Sequence, residues 1–402
     1  LNSSFFPRVP LAIPFWNGDT YRNILRCLVS CSIIDGDDLA QLRSQVEKSL
    51  GVADALLCGS GSLALELALR ACSVRAGDEV VIPTFCCTAV VAPVLALGAT
   101  PVLADCGDEL NLTPASVEAV LTRKTKAVIV PHLFGNPAEI AAIIELVRGR
   151  NIRVIDDAAQ ALGATIDGQP VGSFGDVGIL SFGAEKVCFG LGGGAVVSRR
   201  EDFIQKISQM SLSTPGHGPA IANLLSTFFW RRLRRWTLPL RSALAPRAEA
   251  PDVAPALYRR ESISNLAATV ASSLMRTLDE NILARRARVR AYRDLWGDHS
   301  RVELIAHRNG SACLTQVIRV LPRHRDDGAA SRVITALRAS GYEVQGSYVP
   351  IHLMSSFNRC VWDRLPYAER VWADLVELPC EPEVSFAHVG QIADIVNRVL
   401  NS

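Results

Sequence analysis

Between residues 50 and 200 the chain alternates short, almost wholly apolar runs with segments whose apolar positions recur at helical spacing. The runs at 54–58, 79–83, 100–105, 127–130, 153–157, 177–182 and 195–198 predict strands, and 62–70 and 137–149 predict helices between them. A strand that is apolar on both faces has to be covered on both faces. The pattern therefore predicts an α/β fold built on a mostly parallel seven-stranded sheet covered by helices. Ligands in such sheets gather at the carboxyl ends of the strands. The polar residues that follow these runs are thus the first place to look for chemistry.

The texture changes near residue 219. Residues 221–246 set Ile221, Leu224, Leu225, Phe228, Phe229, Leu233 and Trp236 against Arg231, Arg232, Arg234 and Arg235 at helical spacing, until Pro239 interrupts. The segment reads first as an amphipathic surface helix packed on its own protein or on a second subunit. The second reading is contact with a membrane surface or a lipid-linked substrate. Residues 246–256 have the loose composition of a linker. Residues 264–296 then predict a long helical region with an arginine-rich face (Arg285, Arg286, Arg288, Arg290), read as solvated or intersubunit. Strand-like 313–320, helical 329–340 and strand-like 342–348 predict a smaller C-terminal α+β domain. The expected organisation is an N-terminal arm over 1–20, a large domain over 21–250 and the small domain over 251–402.

Composition narrows the chemistry. A chain of 402 residues, 49% of them hydrophobic, is long enough for more than one folding unit, and a net charge of +2 argues against a dedicated nucleic-acid binder. There are only five lysines (Lys48, Lys124, Lys126, Lys186 and Lys206), so candidates for an amine nucleophile are few. The eleven cysteines form no C-x-x-C pair and have no histidines at zinc-ligand spacing, so no metal is expected. They read as buried, reduced thiols, with Cys27 and Cys31 able to share a helix face. No charged segment followed by an apolar one opens the chain, and no apolar run of about 20 residues occurs. A cytoplasmic protein is expected.

Three polar features follow predicted strands. The first is the glycine-rich CGSGSLA over 58–64, which leads into a helix. Its backbone N–H groups with Ser60 and Ser62 could hold a phosphate. It equally fits a dinucleotide-binding turn with Asp78 on a ribose, or a helix cap with no ligand. The second is Asp156 and Asp157 at the end of the 153–157 run, ahead of Gln160. An aspartate there could cap a helix, but a buried carboxylate also needs a cationic or donor partner, such as a protonated pyridine nitrogen. The third is Ser181 and Lys186, followed by Gly190, Gly192, Gly193 and Gly194. A lysine just after an apolar strand suits an amine that acts as nucleophile and base, although a single lysine is more often a solvated surface residue.

The order of motifs resembles the DegT/StrS-type sugar aminotransferases, which are fold-type I pyridoxal-phosphate enzymes. The matching stretches are GSGSLALELAL (59–69), GDEVVIPTF (77–85), GATPVLADC (98–106), TKAVIVPHLFGNP (125–137), IDDAAQALGA (155–164), PVGSFGDVGILSFGAEK (170–186), YVPIHL (348–353) and ELPCEP (377–382). The resemblance implies that Lys186 forms the Schiff base with pyridoxal 5'-phosphate and later carries a proton. Asp157 is implied as the partner of the pyridine nitrogen, with Gln160 beside the ring. Ser62, Ser181 and the Gly61 amide are implied as phosphate contacts, with Ser60 kept among the cofactor-binding candidates from the turn itself. It implies an amino donor, usually glutamate, and a keto acceptor on a nucleotide-linked sugar. It also implies a homodimer with active sites at the interface.

Several departures qualify the resemblance. Cys87 stands where the family places an aromatic over the cofactor ring, leaving Phe85 as the substitute. The segment RESIS (260–264) replaces one that, in the family, helps complete the neighbouring active site, and Gly192 stands near the place of an acidic residue. With the apolar 221–246 segment, these leave an aminocyclitol precursor or a lipid-like ketone as the alternative acceptor. A nicotinamide-dependent oxidoreductase would explain only the first glycine motif. His217 and His352 are kept as substrate-side candidates, and His132 is read as structural.

Overall fold

The computed structural model describes residues 9–229, 258–297, 299–322 and 328–401. Its first half packs helices α1 (Gly18–Val29), α2 (Asp38–Leu50), α3 (Gly61–Ala71), α4 (Val91–Ala96), α5 (Pro114–Glu118), α6 (Ile140–Val147) and α7 (Glu201–Ser208) around a sheet. The sheet strands are β1 (Asp54–Cys58), β2 (Glu79–Pro83), β3 (Thr100–Ala104), β4 (Thr125–Pro131), β5 (Arg153–Asp157), β8 (Val177–Ser181) and β9 (Gly194–Ser198). A two-residue hairpin, β6 (Thr165–Ile166) with β7 (Gln169–Pro170), lies apart from the sheet. The seven strands are those predicted from the apolar runs, with ends shifted by two residues at most.

Their order is β1-β9-β8-β5-β4-β2-β3, and β8, β5, β4, β2 and β3 are mutually parallel. Strand β9 pairs antiparallel with both β1 and β8. It follows that β1 points the same way as the parallel strands and β9 alone runs against them. The carboxyl ends of β1, β5 and β8 therefore reach one edge of the sheet. The amino end of β9 reaches the same edge, with Gly194 opposite both Cys58 and Ser181. This topology is what gathers residues 58–62, 157–160, 181–186 and 192–194 into one place.

Helical residues 217–229 form α8 within the described residues. Leu224 is buried there, while Leu225 and Phe229 are exposed. The remainder of the amphipathic segment, 230–246, and the linker at 246–256 lie outside the described residues, as do residues 1–8 of the expected arm. The stretch expected as one helical region is two helices, α9 (Asn265–Met275) and α10 (Leu278–Trp296), parted at Arg276 and Thr277. Helix α9 packs on α1 and α2, sharing an apolar cluster that includes Leu42, Val46, Leu266 and Val270. Helix α10 continues to the C-terminal part of the chain.

That part is an antiparallel sheet, β10 (Val302–Leu304), β11 (Gln316–Val320), β12 (Gln345–Gly346) and β13 (Leu375–Leu378), in the order β10-β11-β13-β12. Helices α11 (Ala329–Ala339), α12 (Pro366–Val371) and α13 (Phe386–Asn401) accompany it. The strand expected over 342–348 shrinks to the two residues of β12. Of the arginine-rich face of α10 only Arg290 is exposed; the other three arginines turn inward. Arg285 is buried, Arg286 donates to the Ser311 carbonyl at 2.7 Å, and Arg288 donates to the Val384 carbonyl at 2.8 Å. Long guanidinium side chains here satisfy carbonyls that irregular loops leave unpaired.

Nine cysteines are buried and none forms a disulfide; the exceptions are the exposed Cys31 and the half-buried Cys87. Cys31 lies beyond the end of α1 with a positive φ of 54°, so it does not share a helix face with Cys27. No described helix is long and apolar enough to cross a membrane.

Candidate active site

The turn after β1 is built to present N–H groups. Ser60 is extended, and its Oγ accepts from the Leu63 N–H at 3.2 Å, capping α3. The Gly61 and Ser62 N–H groups in the first turn have no intrahelical acceptor. They face the edge at which the strands end. A Cβ on Gly61 would lie 2.9 Å from Ser181 Cβ and Oγ, so glycine is what lets the α3 N-terminus approach β8. The dinucleotide reading of this motif fails on topology. Asp78 precedes β2, at the amino ends of the strands, and its carboxylate accepts from the Arg75 N–H at 2.8 Å.

The two aspartates ending β5 point to opposite sides, as alternation in a strand requires. Asp156 is fully buried; it pairs with His132 Nε2 at 2.7 Å and accepts from the Phe174 N–H at 2.9 Å. His132 Nδ1 in turn accepts from the Ala138 N–H at 2.8 Å, so Nε2 must be the donor to Asp156. Both ring nitrogens of His132 are thus engaged within the protein, and its ring also lines the cavity. Asp157 faces the cavity instead, and one of its oxygens accepts from the Ala159 N–H at 3.0 Å. Burial pushes its carboxyl above the ordinary value, while that N–H and the Lys186 charge pull it back. Among the described residues its second oxygen has no hydrogen-bond donor.

Lys186 is half-buried in the loop between β8 and β9, directly after Glu185, whose φ is +61°. Left-handed backbone at a residue other than glycine costs energy and recurs at functional sites. Phe134, with φ +57°, is a second such residue nearby, and its N–H donates to Gln160 Oε1 at 2.9 Å. Gln160 Nε2 donates to the Tyr348 hydroxyl at 2.9 Å, which ties the cavity wall to the C-terminal part of the chain. Tyr348 was not singled out from the sequence, because a tyrosine within a predicted strand carries no distinguishing signal.

One cavity at this edge brings together every residue expected around the cofactor. Ser60, Gly61, Ser62 and Ser181 line one side, and Cys87, Asp157, Gln160 and Lys186 line the rest. Leu65, Val90, Leu133 and Ile179 supply apolar walls. The two substrate-side histidines are not part of it. His217 is exposed at the start of α8. His352 is engaged elsewhere, with Nδ1 2.7 Å from Thr84 Oγ1 and Nε2 3.2 Å from Glu369. Phe85 does not replace the missing aromatic either, since it is buried against Phe134 and Tyr348 outside the cavity. Arg260 of the divergent RESIS segment pairs with Glu66 on α3, which also bonds Arg70 and the Tyr258 hydroxyl.

These residues fit pyridoxal phosphate. A buried carboxylate with one open oxygen suits a protonated pyridine nitrogen, and two helix N–H groups beside serine hydroxyls suit a phosphate. The only lysine on the cavity wall is where a covalent bond to the aldehyde would have to form. Comparison with known proteins agrees. The chain is 44% identical over 184 residues to the UDP-N-acetyl-3-dehydro-alpha-D-glucosamine 3-aminotransferase of Acidithiobacillus ferrooxidans, covering 45% of this chain and half of that relative. It is 28% identical over 410 residues to the GDP-perosamine synthase of Caulobacter vibrioides, covering 99% of this chain and all of the relative. Helicobacter pylori PseC, an aminotransferase involved in the biosynthesis of pseudoaminic acid, shares the fold with a TM-score of 0.79 at 19% identity, over 97% of this chain and 98% of that one. Residues 17–397 match the family as a whole, and the chain belongs to the DegT/DnrJ/EryC1/StrS aminotransferases, enzymes that use pyridoxal phosphate.

Proposed function

We propose that the protein transfers an amino group from an amino acid, L-glutamate in the simplest case, to a keto group of a nucleotide-linked sugar. The observation that carries this is the pairing of Asp157 and Lys186 across one cavity, in a chain similar over its whole length to GDP-perosamine synthase. Pyridoxal phosphate, when bound, supplies the electron sink that makes α-proton removal feasible. The chain's own part follows from its geometry. Asp157 would accept a hydrogen bond from the pyridinium N–H through its open oxygen and so keep that nitrogen protonated. The Gly61 and Ser62 N–H groups, with the Ser62 and Ser181 hydroxyls, would hold the phosphate. Lys186 Nζ would act first as the nucleophile toward the cofactor aldehyde. Once displaced by the donor amine, it would take a proton and return it two atoms away. Leu65, Val90 and Ile179 would keep water from that proton.

The Cys87 thiol offers less area than an aromatic ring, which widens the cavity on that side. Exposed Leu25 and Val29 on α1 support assembly as a homodimer, and the buried free thiols support a reducing, cytoplasmic setting. The direct test is to convert the bound cofactor to its amine form with L-glutamate. A panel of nucleotide-linked keto sugars, an inosose and an acyl ketone is then offered, and return of the aldehyde form is followed by absorbance. Recovery with a nucleotide-linked sugar alone is expected. Recovery only with the inosose or the acyl ketone would overturn the acceptor class.

A further inference from the structure

The loop that carries Lys186 forms no helix or strand between β8 and β9, yet Val187, Cys188, Phe189 and Leu191 are all buried. Buried carbonyls in such a loop need donors. Three of them, at alternate residues, are met by side-chain N–H groups from three separate elements. Asn281 Nδ2 on α10 donates to the Val187 carbonyl at 3.2 Å. Trp16 Nε1, just ahead of α1, donates to the Phe189 carbonyl at 3.2 Å. Asn223 Nδ2 on α8 donates to the Leu191 carbonyl at 3.3 Å.

The bond nearest Lys186 is the most constrained. A guanidinium only donates, so Arg285 Nε, 2.7 Å from Asn281 Oδ1, forces the amide oxygen toward itself and the amide nitrogen toward Val187. Arg285 is held in turn by the Leu314 carbonyl at 2.8 Å and by the carboxylate of Glu381. Asn281, Arg285 and Glu381 are 4%, 1% and 2% exposed, so these bonds are shielded from bulk water. The chain of contacts runs from the C-terminal domain to the residue after Lys186.

We infer that Asn281, oriented by the Arg285–Glu381 ion pair, is a positioning residue for Lys186, and that Trp16 and Asn223 complete a three-point tether of its loop. The inference rests on Lys186 being the lysine that bonds the cofactor. An amine on a four-carbon stem is flexible, so the backbone beneath it must be fixed if the amine is to return to one place in every turnover.

Asn281→Asp keeps the acceptor for Arg285 and the shape of the side chain, but turns an oxygen toward the Val187 carbonyl in place of the donor and adds a buried charge beside Arg285 and Glu381. Apoprotein is mixed with pyridoxal phosphate alone, and the rise of visible absorbance gives the rate of covalent capture. In folded apoprotein capture should slow roughly tenfold or more, as misplacing a reacting group by about 1 Å can cost on the order of 100-fold. Trp16→Phe keeps the aromatic bulk, loses the N–H and adds no charge. It should slow capture in the same direction and displace the pH midpoint of the visible band. A folded Asn281→Asp variant that captures pyridoxal phosphate at the wild-type rate overturns the inference; should that variant not fold, Trp16→Phe decides by the same criterion. Wild-type protein that captures none overturns the assignment of Lys186 instead, so the two failures are distinguishable.

Discussion

Asp157 illustrates how a single side chain can be set against the stability of its own fold. Burial raises its carboxyl above the usual range, more than the Ala159 N–H and the Lys186 charge compensate. The folded protein therefore binds that proton more tightly than the unfolded chain. Above both values the charged form is a net cost, which vanishes as pH falls below the unfolded value. Apoprotein with Asp157→Asn should accordingly unfold at an equal or higher temperature than wild type at pH 8, while binding pyridoxal phosphate roughly 10- to 100-fold more weakly for want of a charged acceptor. Glu377 on β13 poses a similar case nearer neutrality. It is buried, accepts from Ser347 at 3.0 Å and Gln345 at 3.1 Å, and burial pushes it up to about 7, with Glu185 adding to the rise. Its cost is present above pH 7 and absent below the unfolded carboxyl value. Glu377→Gln should stabilise the protein by on the order of 1–3 kcal/mol at pH 8 and by nothing measurable near pH 4, as read from urea unfolding at the two pH values. Neither carboxylate announces its environment in the sequence. Asp157 was legible only through its company, and Glu377 not at all, because nothing local records that its partners are neutral.

At the scale of elements, the sheet was legible because its strands are apolar on both faces, a pattern that little besides a covered sheet explains. The carboxyl-edge rule then found the site, since β1, β5 and β8 share a direction. What the pattern missed is where geometry overrides periodicity. The helical run over 264–296 breaks at Arg276 and Thr277 without glycine or proline, so that α9 can lie on α1 and α2. Arg285, Arg286 and Arg288 turn inward because carbonyls from residues 311–314 and 382–384 lie across from them, far away in sequence. The α3 N-terminus gives a paired prediction. Ser60→Ala removes the cap on Leu63 and should lower stability by about 1 kcal/mol. Gly61→Ala should cost about 1–3 kcal/mol through overpacking against Ser181 and should also weaken cofactor retention. Urea denaturation of the apoprotein and titration with pyridoxal phosphate separate the two effects.

Across the whole molecule, the cavity is closed by contributions that no single stretch of chain contains. Gln160 reaches Tyr348 in the C-terminal part of the chain, and Val187 reaches Asn281 and through it Glu381. These long-range bonds join side chains to carbonyls or to each other, and such bonds leave no periodic trace to read. The cavity-lining residues Ser60, Asp157, Ser181 and Lys186, in contrast, follow or end strands, and for that reason they could be named in advance. The proposed chemistry depends on Lys186, one of five lysines. Protein loaded with pyridoxal phosphate should be reduced with borohydride, digested and mapped by mass spectrometry. The expected result is a phosphopyridoxyl group on the peptide containing Lys186 and its loss in Lys186→Ala. The group found on Lys48, Lys124, Lys126 or Lys206, or on no lysine, would contradict it.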